Sequence, residues 1–205
     1  MKKQTKAAVF LDRDGVINED RADYVKNWGE FRFIHGVRRA LGRLREFGFP
    51  VVVVTNQSAV NRGLLSLETL NEIHTRMSRE VARKGGIISG IYFCPHHPEE
   101  GCHCRKPRTG LLRRAARELN LDLSNSFMVG DTLRDLRAGK RAGCRTMLVL
   151  TGQGGATLKK LGQASLKDWP GFVARDLKGA VEIMIGISRR EDQTPVPADQ
   201  AGIEL

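Results

Sequence analysis

Asp12 and Asp14 stand directly after the apolar run Ala7-Ala8-Val9-Phe10-Leu11 and directly before Gly15. An apolar run of this length reads as a buried strand. Residues i and i+2 of an extended chain project to the same side, so both carboxylates enter one space at the strand's carboxyl end. Open α/β sheets keep their ligands at that edge. Two adjacent carboxylates repel each other. A divalent cation held by oxygens relieves the repulsion and offers a handle for phosphate. The pair points to metal-assisted chemistry with one carboxylate as nucleophile. For Asp-x-Asp-Gly taken alone, a polar strand-to-loop turn is the plain alternative.

Three other polar groups follow apolar runs. Thr55-Asn56-Gln57-Ser58 follows four valines, and Arg105-Lys106-Pro107 follows a third run and its loop. Gly130-Asp131-Thr132-Leu133-Arg134-Asp135 follows Phe127-Met128-Val129. In a parallel sheet all these strand ends share one edge, so residues distant in sequence converge. Phosphoryl transfer needs such a set: a nucleophilic carboxylate, a second carboxylate that handles a proton, a hydroxyl, a fixed cation and a metal ligand. Singly, Thr55 reads as a turn cap, Lys106 as a surface lysine, and Asp131 and Asp135 as helix-capping residues. The ordered combination carries the functional reading.

The elements that must position these groups alternate between strand and helix. Residues 7–11 form the first strand and residues 51–54 the second. A third covers 87–93, a short fourth 127–129 and a fifth 146–150. Helical spacing appears over 36–47, ending at Gly48, and over 66–84, with Ser66 as cap. Further helices are expected over 109–119, 132–142 and 176–187, the last capped by Asp176. The pattern predicts an α/β fold, a Rossmann-like parallel sheet with helices on both faces. Residues 1–187 are expected to make one domain, and residues 188–205, with Pro195 and Pro197 among polar residues, a disordered tail.

The four groups resemble the motifs of the haloacid dehalogenase-like phosphatase superfamily. By that resemblance Asp12 is the nucleophile and Asp14 the general acid and base. Thr55 and Lys106 steady the phosphoryl group. Mg²⁺ is held by the Asp12 carboxylate, the Asp14 backbone carbonyl and Asp131. Many members insert a cap domain between motifs. The stretches from Asp12 to Thr55 and from Thr55 to Lys106 leave no room for a large one, so an open site shaped by loops is expected.

The segment from Cys94 to Cys104 reads Cys-x-His-x₅-Cys-x-Cys. Cys94, Cys102, Cys104 and one histidine suit a closed tetrahedral Zn²⁺ site, structural because no open position remains. His97 and His103 compete with His96 for the fourth position; spacing and resemblance point to His96. The loop ends at Arg105-Lys106, so zinc is expected to position catalytic charge without touching the reaction. Cys144 lies before an apolar strand and reads as a buried thiol.

The zinc loop, joined to Cys-Arg-Lys-Pro, narrows the resemblance to two families: the heptose 1,7-bisphosphate 7-phosphatases and the histidinol-phosphate phosphatases. Phe10–Gly15, Val54–Ser58, Asn61-Arg62-Gly63, Gly90–Pro98 and Met128–Asp131 look like the heptose enzymes, over about residues 7–152. The resemblance implies a sugar bisphosphate substrate in the pathway to nucleotide-activated heptose. It sets Asp20, Arg21, Asp23, Tyr24, Asn56, Gln57, Ser58 and Arg105 around that substrate. Arg105 offers a two-pronged contact for the second phosphate. The chain departs from the pattern in three places. Its zinc loop is short, nearer the histidinol-phosphate enzymes. The loop after the first motif is one residue longer. Thr132 stands where a basic residue is expected, with Arg134 a candidate to compensate.

The chain has 205 residues, 40% of them hydrophobic, enough for one filled core. No run of about 18 apolar residues exists, so no spanning helix is expected, and the basic start at Met1–Lys6 lacks a signal-peptide core. A cytoplasmic monomer without membrane contact is the expectation. The net charge of +11 favours anionic partners. A zinc-bearing nucleic-acid-binding protein is the alternative from another class. The basic residues are scattered and aromatics make up only 6%, so small phosphorylated substrates are preferred and nucleic acid is not expected.

Overall fold

The computed structural model describes residues 5–162 and 169–192. Six parallel strands form one sheet: β1 (Lys6–Leu11), β2 (Val51–Asn56), β3 (Gly90–Cys94), β4 (Leu121–Gly130), β5 (Arg145–Val149) and β6 (Phe172–Ala174). Their order is β3-β2-β1-β4-β5-β6. Chain direction therefore reverses its march across the sheet at β1, and crevices at such switch points accept ligands.

Side-chain alternation along the central strands builds two cores. Val9, Leu11, Val51, Val53, Phe127 and Val129 face one side, against α1 (Val37–Glu46), α2 (Leu67–Ala82) and α6 (Leu177–Asp192). Ala8, Phe10, Val52, Val54 and Met128 face the other, against α3 (Gly110–Leu119) and α4 (Leu133–Ala142). Covering both faces is why β2 is continuous valine rather than an alternating strand. Burying each of those valines is worth about 1.5–3 kcal/mol. Cys144 is buried in the second core, as its apolar setting predicts.

Two elements escaped the sequence pattern, α5 (Gly154–Leu161) and the three-residue edge strand β6. Both are short, and periodicity needs more residues than either supplies. β4 is longer than the Phe127–Val129 run because its first half is only partly buried and carries Asp122, Ser124 and Asn125. It crosses a register shift opposite Ala7 and Val9. β3 begins at Gly90 rather than at residue 87. α6 passes Ile187 and runs to Asp192, which corrects the expected start of the tail; the rest of that tail lies outside the described residues.

No cap domain interrupts the frame among the described residues. Between β1 and α1 the chain makes loops and one 3-10 turn, Trp28–Glu30. Trp28 and Phe31 stack there with centroids 5.0 Å apart, and Phe33 meets both rings edge-on. Between β3 and α3 runs the cysteine loop. No helix of the described residues is long and apolar enough to cross a membrane.

Candidate active site

The ends of β1, β2 and β4 and the loop after β3 bring Asp12, Asp14, Thr55, Lys106, Asp131 and Asp135 to one cavity. Its volume of about 250 Å³ lies just below the usual range for small-molecule sites.

Lys106 occupies the floor and is 1% exposed. Its Nζ lies 2.9 Å from Asp12 Oδ1 and 2.6 Å from Asp135 Oδ1, and it donates to the Val54 carbonyl at 2.7 Å. Burial opposes the lysine's charge, but the two carboxylates outweigh it and hold the ammonium form above its usual range. Asn56 fixes the lysine's backbone from both sides. Its Oδ1 accepts from the Lys106 N–H at 3.1 Å and its Nδ2 donates to the Lys106 carbonyl at 3.2 Å.

The two aspartates after β1 have different surroundings. Asp12 has an exposed fraction of 14% and accepts from the Arg13 N–H at 2.7 Å. Burial and repulsion from Asp135 push its carboxyl above the ordinary range, against the pull of Lys106. Asp14 is nearer the mouth, with its side chain 25% exposed. Burial would raise it too, but the Arg13 guanidinium and hydrogen bonds from Asn18 and Gln57 hold it below the usual range. Gln57 Nε2 donates both to Asp14 Oδ2 and to Thr55 Oγ1, each at 2.8 Å, so one amide ties the acid to the hydroxyl.

Asp131 is cradled by backbone. A Cβ on Gly15 would sit 2.1 Å from Asp131 Oδ2, and one on Gly152 would sit 2.3 Å from it. Only glycine allows that approach, and Gly15 also adopts φ 79. The Gln153 N–H donates to Asp131 Oδ2 at 2.7 Å, while Oδ1 is buried with no partner. Burial, with the charges of Asp12 and Asp135, pushes this carboxyl up to about 8. Two of these carboxylates meet Lys106, and oxygens of Asp12, Asp131 and Asp135 lie within 4.8 Å of one another. An uncompensated acidic cluster with an orphaned buried oxygen fits a hard divalent cation. Asp135 has local tasks as well: it accepts from the Thr132 N–H and hydroxyl at the start of α4.

The cysteine loop also converges. Cys94 Sγ and Cys102 Sγ are 3.5 Å apart, as are Cys102 Sγ and Cys104 Sγ. His96 Nδ1 is 3.5 Å from Cys94 Sγ and 3.2 Å from Cys104 Sγ. A zinc–sulfur bond of about 2.3 Å would set tetrahedral sulfurs about 3.8 Å apart, so the donor set and its spacing fit Zn²⁺. Of the three histidines, His96 points into the cluster. His97 caps the turn Pro98–Glu100 and His103 is exposed. Arg105 donates to the His96 carbonyl at 3.3 Å, tying the loop to the cavity wall.

Residues 103–180 match the HAD-hydrolase-like family model. The chain is 46% identical over 154 residues to the D-glycero-beta-D-manno-heptose-1,7-bisphosphate 7-phosphatase of Bordetella bronchiseptica, covering 75% of this chain and 86% of that protein. It is 42% identical over 156 residues to the Pseudomonas aeruginosa protein of the same name, covering 76% and 88%. The crystal structure of D,D-heptose 1,7-bisphosphate phosphatase from B. bronchiseptica, complexed with magnesium and phosphate, aligns with a TM-score of 0.82 and 41% identity over 88% of this chain and 99% of that chain. The chain belongs to the heptose-bisphosphate phosphatase family of HAD-like hydrolases. It is a phosphoric monoester hydrolase.

Within this phosphatase, most residues expected near the substrate line the cavity: Asp20, Arg21, Tyr24, Asn56, Gln57, Ser58 and Arg105. Asp23 stands apart from the others. It does not line the cavity, because Lys26 at 2.6 Å and Arg21 at 3.0 Å draw its carboxylate into a surface ion-pair cluster. Asn56 and Gln57 also have their amides occupied by Lys106, Asp14 and Thr55, so they brace the machinery. Gln153 was missed. It bonds Asp131 through its backbone and Asp20 Oδ2 through its side chain, at 2.9 Å. It follows β5, and the strand-end argument applied to the other strands would have found it.

Zinc content and metal dependence test these sites. Native protein is expected to carry about one zinc per chain by elemental analysis. Cys102→Ser is expected to lose it and to lower activity through the Arg105–Lys106 wall. A carboxyl raised by folding binds its proton more tightly in the folded state, so metal-free stability should fall as pH rises from about 5 to 8. Bound Mg²⁺ needs the deprotonated groups. Its thermal stabilisation should therefore be larger at pH 8.5 than at pH 6, approaching about 2.7 kcal/mol at a hundredfold excess over Kd. A magnesium effect that shrinks with rising pH would contradict this electrostatic account.

Proposed function

We propose that the chain is an Mg²⁺-dependent phosphatase that removes the 7-phosphate of D-glycero-D-manno-heptose 1,7-bisphosphate through an aspartyl phosphate on Asp12. One observation carries the substrate reading. The cavity that holds the carboxylates and Lys106 is also lined by Arg21, Arg105 and Arg134. These cations suit a second phosphate. The names of the relatives support the same substrate. Thr132, in place of a basic residue, leaves Arg134 beside it to supply the missing charge.

In this reading an Asp12 oxygen attacks phosphorus as the bond to the sugar oxygen breaks. Asp14, held ionised in the free site, lies at the mouth and relays to that leaving oxygen a proton taken up as the phosphate substrate binds. Water then attacks the aspartyl phosphate, Asp14 takes a proton from it, and Asp12 is regenerated with release of inorganic phosphate. Lys106 compensates negative charge throughout, and the Thr55 hydroxyl, aimed by Gln57, meets a phosphoryl oxygen. Asp12, the Asp14 carbonyl and Asp131 would hold Mg²⁺, which supplies further charge neutralisation for the phosphoryl oxygens. The open, capless cavity leaves selection of the sugar to the loops after β1 and β2 and to Arg105.

Asp12→Asn is expected to lower kcat at least about 10⁴-fold with the fold intact by circular dichroism, as loss of a nucleophile does. Unchanged turnover would remove Asp12 from this role. In a phosphate-release screen, kcat/KM for the heptose bisphosphate should exceed that for histidinol phosphate by about 100-fold or more. The short zinc loop favours the second substrate, and a preference for it would reassign the enzyme.

A further inference from the structure

Arg13 lies between the two aspartates, yet its guanidinium is turned into the protein. It is 1% exposed, the bulkiest side chain so fully buried. Its NH2 donates to both oxygens of Asp14, at 2.9 and 3.0 Å, and its Nε lies 3.3 Å from Oδ1. The remaining nitrogen, NH1, faces His74 Nε2 at 3.3 Å. His74 comes from the middle of α2, on a face otherwise made of Leu70, Ile73, Met77 and Val81, and its ring packs on Phe93.

A guanidinium has donors and no acceptor. The contact therefore requires a lone pair on Nε2, which makes His74 neutral with its proton on Nδ1. Burial and the adjacent Arg13 charge favour the same form, holding the imidazole down to about 3. The choice of partner matters. A carboxylate at this place would form a second ion pair and draw Arg13 away from Asp14. An aliphatic residue would leave a buried N–H of a charged group unpaired, which is costly. A neutral imidazole satisfies the N–H and leaves the full positive charge to Asp14.

We propose that Arg13 and His74 act as a positioning pair, in which the neutral imidazole anchors the guanidinium and the guanidinium sets the orientation of Asp14 for proton transfer to the leaving oxygen. His74 touches neither aspartate, and of the two the Arg13 side chain reaches only Asp14. The pair rests on the phosphatase reading above and adds a device behind it. Asn18 Nδ2 at 2.9 Å and Gln57 Nε2 complete the clamp. The aligned end of the fork is held by α2, an element with no residue of its own in the cavity lining.

The test uses leaving groups. A sugar alkoxide needs a proton as it departs, whereas 4-nitrophenolate leaves without one. A mispositioned acid should therefore damage the first reaction selectively. For His74→Leu, kcat/KM for the heptose bisphosphate should fall about 10- to 100-fold, within the range for general acid catalysis. With 4-nitrophenyl phosphate it should fall less than about 3-fold, since that step does not draw on the acid. His74→Gln, which keeps an acceptor, should recover most of the loss. Arg13→Lys keeps the charge but not the fork and should show the same selectivity, so the inference remains testable if His74→Leu does not fold. Equal losses on both substrates, or none, would overturn the pairing while leaving an active phosphatase. A wild-type chain inactive on both substrates would overturn the phosphatase reading itself.

Discussion

The ion pairs of Lys106 are the constraint around which the site is arranged. A lysine so deeply buried is costly unless paired, and its partners Asp12 and Asp135 are equally costly without it. The ammonium is met from two sides by carboxylates and from a third by the Val54 carbonyl. Each of these comes from a different strand end or the helix start beside it, so the contact also fixes how β1, β2 and β4 terminate relative to one another. The chain invests heavily in keeping Lys106 still. Asn56 clasps its peptide, and the cysteine cluster anchors the loop that delivers it. The four clustered side chains fit a structural metal, which would give a segment with little core of its own the rigidity that packing supplies elsewhere.

One lysine does not balance the acids around it, and that imbalance suits a divalent cation. Asp131 sits on the backbone of Gly15 and Gly152 with one oxygen unpartnered. The same residues that would destabilise a metal-free pocket make it receptive to a dication and to the phosphate that follows it. Asp12 and Asp14, two residues apart, are separated in character by their neighbours. Asp12 shares the lysine with Asp135. Asp14 has a guanidinium and two amides to itself. Their opposite electrostatics follow from what surrounds them rather than from any difference between the side chains.

Much of this was legible because a parallel sheet converts sequence order into spatial convergence. Asp12, Thr55, Lys106 and Asp131 follow apolar runs, and runs buried on both faces are easily read. The cysteines and histidine declared their purpose by type and spacing. Legibility failed where the deciding contacts are short or non-local. α5 and β6 carry too few residues for a pattern. Asp23 looked like its neighbours until Arg21 and Lys26 turned it outward. Gln57 looked like a substrate contact, but its amide is engaged by Asp14 and Thr55. Gln153 has no distinctive type, and only its place after β5 hinted at the backbone N–H that it gives Asp131.

By itself the sequence determined the sheet, the order of chemical groups along its edge, the donor set of the zinc loop and the absence of space for a cap. These depend on local composition and on periodicity, which neighbours in the chain decide. The tertiary structure alone turned His97 to cap a short turn and gave Asp14 its clamp. It also brought a helix histidine behind the Arg13 guanidinium. Those choices rest on angstrom-scale contacts between residues from separate elements, with Arg13 and His74 sixty-one positions apart. Hydrogen bonds and ion pairs weaken steeply with distance and angle, so such partnerships exist only once the strands and helices have docked.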